Sequence, residues 1–111
     1  MIYDTIFLES TYERGNTMEK IKEHIYEAML GMYKDEEDYI VDGIKIKDEF
    51  AEGERCEELY QYVFDANRRL CERLQVDEDQ DVETIIMRLD DITKELAMKM
   101  FDYGMQFAQR K

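Results

Sequence analysis

The apolar positions of this chain repeat with helical spacing in three segments. The first segment follows Asn16-Thr17-Met18-Glu19, in which Asn16 is suited to cap a helix and Glu19 to reach back to it. The apolar positions after this start are Ile21, Ile25, Ala28, Met29 and Met32. Most of them follow one another at intervals of three or four positions. This spacing predicts a first helix that ends near Tyr33–Lys34.

The second and third segments predict longer helices. One runs from about Glu54 to Gln75, and the residues expected to face inward are Cys56, Leu59, Tyr60, Val63, Leu70 and Leu74. The other runs from about Val82 to Gln109, and acidic residues at its start suit the positive end of the helix dipole. Its expected inner stripe is Val82, Ile85, Ile86, Leu89, Ile92 and Leu96.

The last third of the third helix, from Leu96 to Ala108, is apolar on nearly all sides. A helix of this kind is usually buried, so its surface is either covered by the rest of the chain or left for a partner. The candidate partner-binding residues at this apolar helix end are Met98, Phe101 and Met105. The partner would be a second copy, forming a homodimer, or another protein.

Between the first two helices the period changes to that of a β-hairpin. Tyr39–Val41 and Ile44–Lys47 flank Asp42-Gly43, a dipeptide suited to a type I′ turn. The segment Ile2–Leu8 fits a strand and a helix equally well. The predicted fold is therefore mainly α: one bundle-like domain over residues 1–111 with three helices and a small antiparallel hairpin between the first two. It becomes α+β if residues 2–8 form a third strand.

The chain is strongly acidic, with 28 acidic and 15 basic residues and a net charge of −13. This charge opposes direct binding to nucleic acid or to an anionic membrane. No stretch approaches the 18 or so apolar residues of a membrane span, and the N-terminus lacks the basic region of a signal peptide. We therefore expect a cytoplasmic protein.

The negative charge is concentrated in two segments. Residues 34–58 contain eleven acids and four bases, and residues 76–91 contain seven acids and one base. Such segments are either solvated surface or a surface that attracts a basic partner. The candidate partner-binding residues are Asp35, Glu36, Glu37, Asp38, Asp42, Asp48 and Glu49 around the hairpin, and Asp77, Glu78, Asp79 and Asp81 before the third helix.

Two binding functions follow from these features. In the first, the acidic segments inhibit a basic, nucleic-acid-binding protein by occupying a groove built for phosphates. In size, acidity and lack of catalytic motifs, the chain is similar to the anti-restriction and anti-CRISPR inhibitors of phages and mobile elements. In the second, the chain is a helical scaffold or adaptor that acts through the apolar end of the last helix.

Motifs for catalysis and for metal binding are weak. Cys56 and Cys71 lie about 22 Å apart on one predicted helix and cannot form a disulfide within the chain. Asp77–Asp81 begins like a calcium loop, but Val82 and Arg88 replace its glycine and its bidentate glutamate. His24 and Ser10 are the sole residues of their types and have no motif around them. We predict no catalytic residue, no metal site and no cofactor.

One enzyme alternative rests on acidic residues that lie one turn apart. All-helical nucleotide pyrophosphohydrolases hold Mg²⁺ with such glutamates. The residues that loosely resemble this arrangement are Glu54, Glu57, Glu58, Asp91 and Glu95, but the full pattern of that class is not met.

Overall fold

A computed structural model describes residues 17–110, which belong to two compact units. The N-terminal unit is Met1–Asp48 and the C-terminal unit is Glu49–Lys111. The predictions for Ile2–Leu8 and for the Asn16 cap lie outside the described residues.

The first helix, α1, covers residues 17–29 and ends in a Schellman motif. The amide of Gly31 donates to the carbonyl of Ala28 at 3.0 Å, and the amide of Met32 donates to the carbonyl of Glu27 at 3.2 Å. Gly31 has a φ of +73°, in the left-handed region that favours glycine. The helix is therefore shorter than the sequence pattern predicts, and Tyr33 lies beyond its end.

The predicted hairpin is confirmed. A 3₁₀ turn at Glu36–Tyr39 leads into strand β1, Ile40–Val41, which pairs antiparallel with strand β2, Ile44–Lys45. Ile40 lies opposite Lys45, and Val41 lies opposite Ile44. Asp42 and Gly43 have φ angles of 50° and 79°, as a type I′ turn requires at its two central residues.

The N-terminal unit contains a small buried centre. Ala28 on α1 and Val41 on β1 are its buried apolar residues. Lys22 is also buried, and its ammonium forms an ion pair with Glu19 at 3.0 Å. Burying a charge is costly, and an ion pair of this kind offsets part of the cost.

The C-terminal unit consists mainly of two long helices. Helix α2 is Arg55–Leu74 and helix α3 is Gln80–Gln109, both within two residues of the predicted limits. Helix α2 ends in a second Schellman motif, in which Gln75 adopts the left-handed conformation with a φ of 59°. Asp79 then caps α3, because its carboxylate accepts from the amide of Val82 at 3.0 Å.

The predicted fold class is confirmed for the described residues, which form three α-helices with a small antiparallel hairpin between the first and the second. None of the helices described is both long and apolar enough to cross a membrane.

Candidate functional site

A row of exposed apolar side chains runs along α3. We call this row the apolar stripe, and its seven members are Ile85, Leu89, Ile92, Leu96, Met100, Tyr103 and Phe107. Each of the seven is between 54% and 74% exposed. They recur every 11 residues, a spacing that corresponds to three helical turns, so the row stays on one side of the helix.

Three half-buried apolar residues in the last third of α3 lie opposite the stripe. The half-buried apolar residues of this helix are Val82, Ile86, Ala97, Met98, Phe101 and Met105. At 100° per residue, Met98, Phe101 and Met105, the contact residues predicted from sequence, lie on this opposite side. Nothing in the structure tests whether they bind a partner, so that remains a prediction.

The inward orientation predicted for the first part of α3 is wrong for most of its members. Val82 and Ile86 are half-buried, whereas Ile85, Leu89, Ile92 and Leu96 are all more than half exposed. The backbones of α2 and α3 do not run within 8 Å of each other along their lengths. Helices that bury one another's side chains lie 8–10 Å apart between axes, so α2 is not placed to cover the stripe.

Helix α2 also leaves apolar side chains in solvent. Of its predicted inward residues, Cys56 and Leu70 are half-buried, and the exposed ones are Leu59, Tyr60, Val63 and Leu74. Tyr62 and Phe64, which were not predicted to face inward, are exposed as well. The amphipathic pattern therefore located the helix correctly but not the face that the rest of the chain covers.

The acidic residues around the hairpin differ in their surroundings. Asp35, Glu36, Glu37 and Asp42 are exposed, and no ion pair joins them to another residue in the described part of the chain. Asp38, Asp48 and Glu49 are half-buried. The carboxylate of Asp48 lies directly over Gly31, close enough to collide with any β-carbon placed there.

The acidic residues before α3 include one with a clear structural role. Asp79 caps the helix, whereas Asp77, Glu78 and Asp81 are exposed. Negative charge at a helix N-terminus is stabilising by itself, so part of this cluster is explained by the fold. The three exposed carboxylates remain free to meet a partner in solvent.

A polar cluster that sequence analysis missed joins α1 to the segment before the hairpin. The Nε2 of His24 donates to the carbonyl of Asp38 at 2.6 Å, and the hydroxyl of Tyr39 donates to the carbonyl of Tyr33 at 2.8 Å. The ring of Tyr33 meets the rings of His24 and Tyr39 edge to face, at centroid distances of 5.2 and 6.0 Å. These contacts fix the loop after α1 against the helix.

The phenol of Tyr33 donates a hydrogen bond to the carboxylate of Glu27. This bond, with desolvation and the negative charges of Glu27 and Asp38, raises the pKa of Tyr33 from 10.0 to about 12. An open depression of about 460 Å³ lies beside the cluster, and its lining is Glu19, Lys20, Glu23, His24, Glu27 and Tyr33. The only sequence signal for this cluster was the presence of His24 and Glu27 one turn apart on α1.

Two acidic residues of the enzyme alternative form ion pairs with arginines on the same helix. Glu58 pairs with Arg55 at 3.4 Å, and Asp91 pairs with Arg88 at 3.3 Å. Within residues 17–110, no group of three or more histidine, cysteine or acidic side chains is arranged to hold a metal ion. Both cysteines are free thiols, and that of Cys71 is buried.

The chain was also compared with known proteins. No protein-family profile, no curated protein and no solved structure matches it.

Proposed function

We propose that this chain is a non-enzymatic binding protein whose C-terminal unit recognises a protein partner through the apolar stripe of α3. One observation carries the proposal: seven large apolar side chains lie in line along 23 residues of helix, and all are more than half exposed. Single exposed apolar residues are ordinary on a protein surface. A continuous row of them is typical of an interaction site.

The size of the stripe suits a protein partner. With full side-chain areas of about 200 Å² each, the exposed fractions leave on the order of 850 Å² of surface on these seven residues. A standard protein–protein interface buries about 800 Å² on each partner. An apolar groove or another amphipathic helix is the surface that would complement such a row.

A second candidate function is inhibition of a basic, nucleic-acid-binding protein by the acidic segments. The observation that favours it is the exposure of Asp35, Glu36, Glu37 and Asp42 without ion pairs among the residues described. Unpaired carboxylates on one short segment keep their full charge for a basic partner. These four residues belong to the N-terminal unit, whereas the stripe belongs to the C-terminal unit.

The two functions are separated by capture of partners from a lysate of the source cells with four forms of the tagged chain. These are the wild type, Met100→Glu in the stripe, Met87→Glu on the opposite side of α3, and a triple Lys variant of Asp35, Glu36 and Glu37. Met87 is the matched control, because it is 55% exposed and receives the same charge. Each capture is washed at low salt and at about 0.5 M salt, where exposed charges are screened beyond a few Å.

The stripe function predicts a partner that survives high salt and is lost only with Met100→Glu. The inhibitor function predicts a basic partner that is lost at high salt and with the triple Lys variant. A partner that binds all four forms equally well at both salt concentrations would contradict both functions.

A further inference from the structure

The apolar stripe is symmetric about its middle residue. Its members lie four, seven and eleven residues before Leu96 and the same distances after it. If a second α3 lies antiparallel with Leu96 at the centre, every stripe residue faces a stripe residue of the other copy. Ile85 then meets Phe107, Leu89 meets Tyr103, and Ile92 meets Met100, so aliphatic side chains face larger ones.

We propose that the partner of the stripe is a second copy of this chain, bound with α3 antiparallel to α3 and a two-fold axis at Leu96. This inference rests on the proposed function of the stripe and names its occupant. A two-fold interface uses the same patch on both copies, so the patch must complement itself. The symmetric spacing about Leu96 meets that requirement.

The charges along α3 select the antiparallel direction. The half of the helix before Leu96 carries five acids against two bases: Asp81, Glu83, Asp90, Asp91 and Glu95 against Arg88 and Lys94. The half after Leu96, with its C-cap, carries two bases against one acid: Lys99 and Arg110 against Asp102. An antiparallel pair places the acidic half of each helix beside the basic half of the other, whereas a parallel pair places acid beside acid. The helix dipoles favour the same direction.

The stripe is large enough for a stable dimer. If the partner covers two-thirds of its exposed surface, the two copies together bury on the order of 1,100 Å², above the roughly 1,000 Å² expected of a specific interface. The 11-residue repeat keeps the row nearly parallel to the helix axis, so contact can extend along the whole helix.

Sedimentation equilibrium of the full chain, at about 1 to 300 µM to cover micromolar dissociation constants, tests the dimer. We expect the wild type to approach twice its 13.4 kDa mass at the upper concentrations. Leu96→Glu at the two-fold axis buries two like charges and should raise the dissociation constant by about 100-fold or more. Met87→Glu should leave it within about threefold, because its side chain points away from the stripe.

Three further variants keep the test independent of folding and determine the direction of the two helices. Met100→Glu repeats the perturbation at the most exposed stripe position, 74% exposed, where little of the side chain is packed within the chain. Ile85→Cys and Phe107→Cys test the direction by disulfide cross-linking. Their positions lie about 33 Å apart along the helix. An antiparallel dimer predicts cross-links beyond the background of the wild type in a mixture of these two variants, and no increase over that background with either variant alone.

A wild-type chain that remains monomeric at every concentration would overturn the dimer. So would a dimer that Leu96→Glu and Met100→Glu leave unchanged. Cross-linking of Ile85→Cys with itself would overturn the antiparallel direction. A monomeric chain that still loses its captured partner with Met100→Glu would leave the proposed function standing and remove only the second copy as occupant.

Discussion

Replacing Gly31 with alanine is the most direct test of how α1 ends. Gly31 occupies the left-handed position of the Schellman motif, with a φ of +73°. A β-carbon built there would lie 2.5 Å from Oδ1 of Asp48 and 2.6 Å from its Cγ and Oδ2. The substitution therefore meets two obstacles, one in the backbone and one in the neighbouring side chain.

The two obstacles have different magnitudes. A non-glycine residue in the left-handed region costs about 1–2 kcal/mol. Displacing the Asp48 carboxylate adds about 0.5–1.5 kcal/mol if the side chain leaves its preferred rotamer, and Asp48 also has an interaction of its own to lose. We expect Gly31→Ala to lower the free energy of unfolding by about 2–3 kcal/mol.

Urea denaturation followed by far-ultraviolet circular dichroism measures this loss. Gly43→Ala is the matched control, because Gly43 has a φ of +79° and no atom within 4 Å of the added β-carbon. It should lose only the backbone contribution, about 1–2 kcal/mol. In an Asp48→Ala background, Gly31→Ala should become as mild as Gly43→Ala. Equal losses for Gly31→Ala and Gly43→Ala in the wild-type background would refute the close approach of Asp48.

Two other predictions concern the end of α2 and the polar cluster. Gln75→Gly should raise the free energy of unfolding by about 1 kcal/mol, because Gln75 has a φ of 59° that glycine adopts without strain. An unchanged midpoint of urea denaturation would contradict the second Schellman motif. Glu27→Gln should lower the pKa of Tyr33 from about 12 towards 10.0, measured by nuclear magnetic resonance of ¹³C-labelled tyrosine and assigned with Tyr33→Phe. Because the pKa of Tyr33 is higher in the folded chain than in the unfolded chain, the protonated phenol contributes stability that is complete below pH 10 and is lost as the pH rises towards 12. Glu27→Gln should narrow the pH range over which this stability is lost.

Features that depend on residues close together in the sequence were predictable. The hairpin follows from Asp42-Gly43 between two apolar strands. The limits of α2 and α3 follow from helical spacing and, for α3, from the acidic residues at its start. The end of α1 was predicted too late because apolar spacing continues through Met32. The glycine that turns the chain is Gly31, and its left-handed conformation overrides the pattern.

Features that depend on what covers a helix were not predictable in the same way. Helical periodicity shows that Ile85, Leu89, Ile92 and Leu96 share one face, but it does not show whether that face is covered within the chain or by another molecule. The pattern is the same in both cases. Likewise, the contact of Tyr33 with Glu27 needs a chain reversal at Gly31, which brings together residues that the spacing of a continuous helix would separate.

The net charge and the apolar stripe affect association in opposite ways. Each copy carries a charge of −13, so two copies repel one another at a distance while their stripes attract at contact. Salt screens exposed charges over about 8–10 Å at physiological ionic strength and leaves apolar contact nearly unchanged. Association of two copies should therefore strengthen as salt is added, whereas binding of the acidic segments to a basic partner should weaken. The sign of the salt dependence thus separates the two functions even before the partner is known.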